Sequence, residues 1–455
     1  MLTYELKKSP GVPLYEALYR CIRRDILSGN LLPGEKLPSK RALADNLEVS
    51  KITVETAYNQ LLAEGYISSR EKVGYFVEAV ERPVSPVPAA KLPEAEDAPK
   101  ALLDLTGSGT EHFPFSVWTK LQREVMLDYS EKLLLPLPNR GIRELRQAIA
   151  AHLAAFRGMT VDPQNILIGA GTDFLYNLLI QLLGRDKAYA VEEPGYGKIR
   201  KIYAAGGVRC VSAAMDSRGV RPDSLENAQV LHISPSHHFP TGLVTPASRR
   251  QELLNWAKAG NNWIIEDDYD SEFRFDAHPT AAMQSMDPDR VIYMNSFSKS
   301  LAPSIRISYL VLPAALMAQF QEQLGFYSCT VPSFEQYTLA RFLSRGHFEK
   351  HINRMRKFYK NRRNKVVSLL ENCIFSDKLT ILEQDAGLHF LLKVDTELSD
   401  RALTEKLQAA GIRIRTLSSY YHPESPGDSH CLVVNYAGIK EEALEQALEA
   451  FASVM

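Results

Sequence analysis

A proline-rich stretch at residues 80–101 constrains this chain most, because it separates two segments with different apolar patterns. The stretch holds five prolines and little apolar periodicity, as a semi-rigid linker would. Residues 12–79 before it have the pattern of a compact helical unit. Residues 102–455 after it alternate strand-like apolar runs with amphipathic helices, a pattern typical of a mixed α/β domain with a mainly parallel sheet. The sequence therefore predicts two domains joined by a linker.

Composition indicates the cellular compartment of the protein but not its ligands. Residues 1–80 carry eleven Lys and Arg against ten Asp and Glu, so charge alone gives no evidence for nucleic-acid binding. The five cysteines stand singly, without metal-ligand spacing, and no metal site is expected. The start of the chain lacks the features of a signal peptide, and no apolar run is long enough to cross a bilayer. We therefore expect a reduced, cytoplasmic protein.

The first segment has the element order of a winged helix-turn-helix. One helix follows Pro13, and Ser39 and Ser50 are suitable N-caps for two more. Two short strand-like runs follow, with a turn at residues 72–74. In such a domain the third helix enters the major groove of DNA, and side chains near its N-terminus reach base edges. A small protein-binding module with solvated cations is the alternative that this pattern leaves open.

The candidate DNA contacts fall on three parts of this unit. The third helix offers one cation and three hydroxyls, the second helix two cations near the phosphates, and the wing tip one lysine. In chain order the candidates are Ser39, Lys40, Arg41, Ser50, Lys51, Thr53, Thr56 and Lys72. The words Leu37-Pro-Ser-Lys-Arg-Ala-Leu-Ala and Val49-Ser-Lys-Ile-Thr-Val-Glu-Thr-Ala-Tyr closely resemble the GntR-type DNA-binding domain. That family commonly has arginine at the position that Lys51 occupies in this chain. Lysine keeps the charge but cannot bond guanine in the bidentate way, so the base preferred by this residue stays open.

In the second segment, several apolar strands end in small or polar residues, and ligands of open α/β sheets bind at such ends. A small-residue turn before a helix N-terminus suits a phosphate. A lysine flanked by serines can form a Schiff base with an aldehyde while the serines and a following arginine hold a phosphate. The endings are Gly169-Ala-Gly-Thr172, Glu193-Pro-Gly-Tyr196, Asp267-Asp-Tyr-Asp270 and Ser296-Phe-Ser-Lys299, followed by Arg306.

These four sequence motifs, together with Phe239-Pro-Thr-Gly242, resemble those of the fold-type I aminotransferases. The resemblance covers residues 102–455. The resemblance implies the cofactor pyridoxal 5'-phosphate, with Lys299 as its Schiff-base lysine and Asp267 at its pyridine nitrogen. It further implies Tyr269 at the ring oxygen and Tyr196 as the stacking ring. The implied phosphate contacts are Gly171, Thr172, Ser296, Ser298 and Arg306.

Two positions depart from working aminotransferases. Phe239 stands where those enzymes have an asparagine that bonds the ring oxygen, and His237 or His238 is a possible substitute. The arginine that grips the substrate carboxylate is missing, because its slot falls at about Val433. Without that bidentate clamp an α-amino acid is held poorly. Arg413 and Arg415 compensate only if they face the pocket.

A GntR-type domain joined to such a domain resembles the MocR/GabR family of bacterial transcription regulators. The resemblance implies a homodimer that binds promoter DNA and senses pyridoxal phosphate or an amino-acid-like effector. The missing arginine favours pyridoxal phosphate itself as the signal. The alternative is a true aminotransferase with an accessory helix-turn-helix domain, and a third possibility is a protein-binding fusion with an inactive pocket.

Overall fold

A computed structural model describes residues 2–4, 6, 13–80, 103–106, 112–275, 281–383, 387–422, 427–439 and 443–454. The chain divides into two compact units, Met1–Ala98 and Pro99–Met455. Apart from Val80, the predicted linker lies outside the described residues, as does residue 12, so those boundaries remain predictions. No helix in the described ranges is long and apolar enough to cross a membrane.

The first unit is a helical trio followed by a hairpin. Its elements are α1 (Leu14–Ser28), α2 (Lys40–Asn46), α3 (Lys51–Ala63), β1 (Ile67–Arg70) and β2 (Gly74–Val77), the two strands being antiparallel. Ser39 and Ser50 cap α2 and α3, each accepting a backbone N–H bond of 3.1 Å. The apolar stripe of α3 is fully buried against the other elements because its members recur at helical spacing. The predicted winged helix-turn-helix order is confirmed.

The second unit alternates strands and helices. Its first half contains β3 (Leu103–Asp104), α4 (Phe115–Tyr129), α5 (Arg143–Arg157), β4 (Ile166–Gly169), α6 (Thr172–Leu183), β5 (Ala188–Glu193), α7 (Gly197–Ala205), β6 (Arg209–Asp216), β7 (Gly219–Val220), β8 (Val230–Ile233), α8 (Ala247–Gly260) and β9 (Trp263–Asp267). Its second half contains α9 (Met283–Met286), β10 (Val291–Ser296), α10 (Phe297–Ser300), β11 (Ser308–Val311), α11 (Ala314–Leu324), α12 (Ser333–Ser344), α13 (His347–Glu371), β12 (Leu379–Leu382), β13 (His389–Val394), α14 (Asp400–Ala409), β14 (Ile412–Arg413), β15 (Arg415–Thr416), β16 (Cys431–Asn435) and α15 (Leu444–Ala452).

The large sheet has the strand order β4-β11-β10-β9-β8-β5-β6-β7. The five strands from β10 through β6 run parallel to one another, whereas β11 is antiparallel to both β10 and β4, and β7 is antiparallel to β6. Both faces of the sheet are covered, since Ile166 and Ile168 of β4 belong to one core and Leu167 to another. Burial on both sides explains the near-continuous apolar runs. The predicted mainly parallel α/β architecture is confirmed.

A smaller sheet has the order β12-β13-β16-β15. Phe390 and Leu392 of β13 pack into the core together with Leu432 and Val434 of β16. Because successive side chains of a strand alternate between faces, the residues between them lie on the opposite face. That opposite face carries His389 and Val433.

Candidate functional site

Three separate chain segments meet at one edge of the large sheet because Ser308 fixes their register. Ser308 is the Cα partner of Gly169 on β4 and of Ser296 on β10. Since β11 runs antiparallel to both strands, it enters the sheet where they leave it. The turn after β4, helix α10 after β10 and Arg306 before β11 therefore lie side by side.

These segments form a cradle that suits a phosphate. Gly171 has φ 85°, and a Cβ atom there would lie 2.3 Å from Nη2 of Arg306, so only glycine leaves room for the guanidinium. Thr172 is the first residue of α6, whose N-terminal backbone N–H groups have no partner within the helix. Ser298 N donates to Ser296 Oγ at 3.1 Å. The cradle thus combines a cation, hydroxyls and a helix N-terminus, which together favour an anion.

Lys299 lies in α10, directly after the cradle serines. Burial lowers the pKa of its amine, and the nearby Asp270 carboxylate opposes that shift in part. A lowered pKa increases the fraction of neutral amine, which is the form that attacks a carbonyl group. Lys299 is therefore suited to condense with an aldehyde.

Asp267 closes β9 and offers one buried acceptor. Its Oδ2 accepts from the Tyr176 hydroxyl at 2.7 Å and lies 3.4 Å from Nε2 of His232. His232 is held on its other side by the hydroxyl of Tyr203, at 2.7 Å. Oδ1 of Asp267 is buried and has no hydrogen-bond partner among the described residues. Because buried polar atoms are usually paired, this oxygen fits a protonated ring nitrogen.

His237, rather than His238, lies beside Tyr269. Nδ1 of His237 is 2.8 Å from Asp270 Oδ2 and 3.3 Å from the Tyr269 hydroxyl, and its buried Nε2 has no hydrogen-bond partner in the described part of the chain. His238 instead bonds Thr241 at 2.7 Å, and burial lowers the pKa of its ring to about 3. Of the two histidines predicted to replace the missing asparagine, the structure thus brings His237 next to Tyr269, and its role toward a cofactor stays a prediction.

Tyr196 occupies the rim of this region. It is the N-cap residue of α7, its side chain is half exposed, and its ring meets Phe239 edge-on at 6.0 Å. The contact with Phe239 does not test whether Tyr196 stacks on a ligand ring, so that role stays a prediction.

The sequence did not assign Tyr176, His232 or His389 to the site. His389 lies 4.6 Å from His237, ring centre to ring centre, and is buried. His232 and His389 are polar residues within apolar strands, and that mismatch was the available signal. Tyr176 had no such signal, because a tyrosine on the buried face of a helix is ordinary core.

The predicted DNA-contacting residues divide into solvent-facing and internally bonded groups. Lys51, Arg41 and Lys72 are exposed, and Lys72 adopts φ 59° at the wing tip. The hydroxyls of Ser50 and Thr53 bond each other at 2.8 Å, and that of Thr56 donates to the Ile52 carbonyl at 2.9 Å.

Two side chains of this surface differ from the sequence expectation. The ammonium of Lys40 lies 2.8 Å from a carboxylate oxygen of Glu55, so it does not stand free for a phosphate. Ile52, which was not among the predicted DNA contacts, is 74% exposed at the start of α3. In the sequence, the signal for Ile52 was an apolar residue among the polar residues of that turn.

Two protein families match the chain in succession. "Bacterial regulatory proteins, gntR family" matches residues 14–77, and "Aminotransferase class I and II" matches residues 104–451. The uncharacterized HTH-type transcriptional regulator YdeL of Bacillus subtilis (strain 168) is 36% identical over 98% of each chain. The probable rhizopine catabolism regulatory protein MocR of Rhizobium meliloti is 30% identical over 98% of this chain and 95% of its own. The chain belongs to the MocR/GabR family of bacterial transcription regulators.

Membership in the MocR/GabR family supports a DNA-binding regulator over a true aminotransferase. The HTH-type pyridoxine biosynthesis transcriptional regulator PdxR of Corynebacterium glutamicum is also similar, with 31% identity over 94% of this chain and 92% of its own. Pyrococcus horikoshii kynurenine aminotransferase shares the fold, with a TM-score of 0.68 at 22% identity, covering 78% of this chain and 90% of that one. The predicted fold-type I aminotransferase architecture of this MocR/GabR protein is thereby confirmed.

Proposed function

We propose that this protein is a cytoplasmic, homodimeric transcription regulator that holds pyridoxal phosphate in its second unit and binds promoter DNA through its first. The observation that carries the proposal is the placement of Lys299, Arg306 and Gly171 at three chain segments aligned by Ser308. The fold is also that of the kynurenine aminotransferase solved with PMP, which supports the same class of cofactor.

The residues present fit this cofactor at each of its ends. The cradle of Arg306, Gly171 and Thr172 would hold the phosphate, with Ser296 and Ser298. The unpaired Oδ1 of Asp267 would accept from the ring nitrogen, and Tyr269 with His237 would meet the ring oxygen. Bound pyridoxal phosphate supplies an aldehyde that condenses with amines. Lys299 would hold that aldehyde until another amine displaces it.

The signal in this proposal is pyridoxal phosphate or an amino-acid-like effector. A ligand changes the activity of a regulator only if it binds two conformational states with different affinity. The name of the relative PdxR concerns pyridoxine biosynthesis and supports the cofactor itself as a signal. Because another amine would displace Lys299 from the aldehyde, an amino compound is also supported as the effector.

The cofactor is tested by the visible spectrum of the full-length protein after incubation with pyridoxal phosphate. We expect an absorption band that Lys299→Ala abolishes and that Lys201→Ala, a change at an exposed lysine of α7, preserves. Borohydride reduction followed by peptide mapping should label position 299. A colourless protein, or a label elsewhere, would contradict the proposal.

The regulatory role is tested by electrophoretic mobility shift with the DNA just upstream of the gene. Specific retardation that changes when cofactor or effector is added is the expected result. Rapid aminotransfer from an amino acid to a keto acid, without specific DNA binding, would instead identify an enzyme.

A further inference from the structure

The cradle contains a carboxylate beside its cation. Oδ2 of Asp173 lies 3.4 Å from Nη2 of Arg306, the same nitrogen that a Cβ atom at position 171 would meet. Asp173 stands in the first turn of α6, where a negative charge is favoured by the free backbone N–H groups of the helix. The protein therefore places a negative charge of its own next to the guanidinium that would bind a phosphate.

A second cation shares this carboxylate. Nζ of Lys198, on α7, lies 2.8 Å from the same Oδ2 atom of Asp173, closer than the guanidinium of Arg306. The side chains of Lys198, Asp173 and Arg306 are between 35% and 49% exposed, so each can turn without disturbing the core. Asp173 thus stands between two cations, and either of them can hold it.

We propose that Asp173 competes with the phosphate of pyridoxal phosphate for Arg306, and that Lys198 draws Asp173 away when the cofactor binds. This role rests on the proposed function, in which the cradle holds the phosphate. A phosphate monoester carries a charge of about −1.5 to −2 at pH 7, so it repels a carboxylate that lies beside the same guanidinium. Asp173 therefore lowers the affinity for the cofactor, and Lys198 restores part of it.

The affinity of the cradle decides whether pyridoxal phosphate can serve as a signal. By mass action, the occupancy of a site follows the ligand concentration only where that concentration lies near the Kd, since a much tighter site stays saturated. A carboxylate that competes for Arg306 raises the Kd without removing any group that contacts the ring. Asp173 therefore makes the cofactor exchangeable, as a sensor of its supply requires.

The test titrates full-length protein with pyridoxal phosphate and follows the visible band. Asp173→Asn should bind the cofactor about 10-fold more tightly, because the amide keeps the shape of the carboxylate without its charge. Lys198→Gln should bind it about threefold more weakly, because Asp173 is then left to Arg306 alone. Two controls remove a like charge nearby: Lys201→Gln, at an exposed lysine of α7, and Asp186→Asn, at an exposed carboxylate beyond the end of α6. Both should change the affinity by less than about twofold.

The double variant distinguishes a lysine that holds Asp173 from a lysine that contacts the phosphate. In the Asp173→Asn background, Lys198→Gln should have almost no effect, because no carboxylate remains for the lysine to hold. Pyridoxal has the same aldehyde and lacks the phosphate, so it should bind wild type and Asp173→Asn with equal affinity. The difference between these two proteins in affinity for pyridoxal phosphate should shrink as the NaCl concentration rises, since salt screens exposed charges.

Equal or weaker cofactor binding by Asp173→Asn would overturn the proposal, as would an equal gain in affinity for pyridoxal. A loss from Lys198→Gln that persists in the Asp173→Asn background would overturn the role of Lys198, because the lysine would then contact the phosphate itself. The visible band separates these failures from failure of the proposed function. A band with unchanged affinity in Asp173→Asn removes only the competition, whereas a wild-type protein without any band removes the cofactor as well.

Discussion

At the scale of single residues, Ile52 is an apolar side chain that is largely exposed on the DNA-binding unit. It stands beside Lys51 at the N-terminal turn of α3, which in this class of domain faces the bases. The neighbouring hydroxyls of Ser50 and Thr53 are already bonded to each other. We therefore expect direct readout by this turn to depend mainly on the cation of Lys51 and the apolar side chain of Ile52, which suit guanine and the thymine methyl group respectively.

Replacing thymine by deoxyuridine in the operator removes only the methyl group and tests this contact. At one operator position we expect the wild-type protein to lose about 0.8 kcal/mol of binding free energy, roughly fourfold in Kd. Ile52→Ala should bind both DNAs equally at that position. Fluorescence anisotropy measures the four affinities, and Val73→Ala, at an exposed apolar residue of the wing, is the control. Undiminished methyl sensitivity in Ile52→Ala would exclude the contact.

Glu192 is a residue whose ionisation opposes folding. Its side chain is 11% exposed and accepts from Ser234 N at 3.0 Å, and burial raises its pKa to about 8. The folded state therefore retains a proton that the unfolded chain loses near pH 4.5. Stability contributed by this group is present below that pH and is lost as pH rises toward 8.

We expect Glu192→Gln to reduce this loss, because an amide does not titrate. Between pH 5 and 8 the free energy of unfolding of wild-type protein should fall relative to the variant by at most about 1.4 kcal/mol per pH unit. Urea denaturation of cofactor-free protein at several pH values measures the difference. Glu193→Gln, at a neighbouring carboxylate paired with Arg200, is the control. Parallel pH profiles for wild type and Glu192→Gln would refute the assignment.

At the scale of elements, the pair Lys40–Glu55 joins α2 to the recognition helix α3. The bond to Lys40 lowers the pKa of Glu55, and the lysine covers a carboxylate on the helix that approaches DNA. Lys40→Ala should therefore weaken DNA binding mainly by uncovering Glu55. The double variant Lys40→Ala/Glu55→Gln should recover most of the affinity. Anisotropy titrations of both variants measure this, and equal weakening in both would show that Lys40 itself contacts DNA.

Elements whose ends carry local signals could be predicted from the sequence. Ser39 and Ser50 mark helix starts because their side chains satisfy backbone N–H groups, and the polar residues after β9 and β10 mark strand ends. The reversal of β11 could not be predicted, since an apolar run does not reveal its neighbours. The alignment through Ser308 follows from strand pairing between distant segments, so it required the structure.

At the scale of the whole molecule, the proposed homodimer carries two DNA-binding units. Binding the second half-site is then intramolecular and gains from a high effective concentration. Scrambling one of two half-sites should weaken binding of full-length protein by about 100-fold, whereas each half-site alone should bind weakly and similarly. Mobility shifts with intact and scrambled operators measure this. Equal affinity for both would indicate that one unit acts alone.

The phosphate cradle draws on positions 171, 298 and 306, which belong to three different stretches of the polypeptide. A ligand bound in the cradle holds those stretches together much as a covalent cross-link would, but only while it stays bound. At a hundredfold excess over Kd, such a tie adds about 2.7 kcal/mol to folding. We therefore expect the melting temperature of the protein to rise as the concentration of pyridoxal phosphate rises.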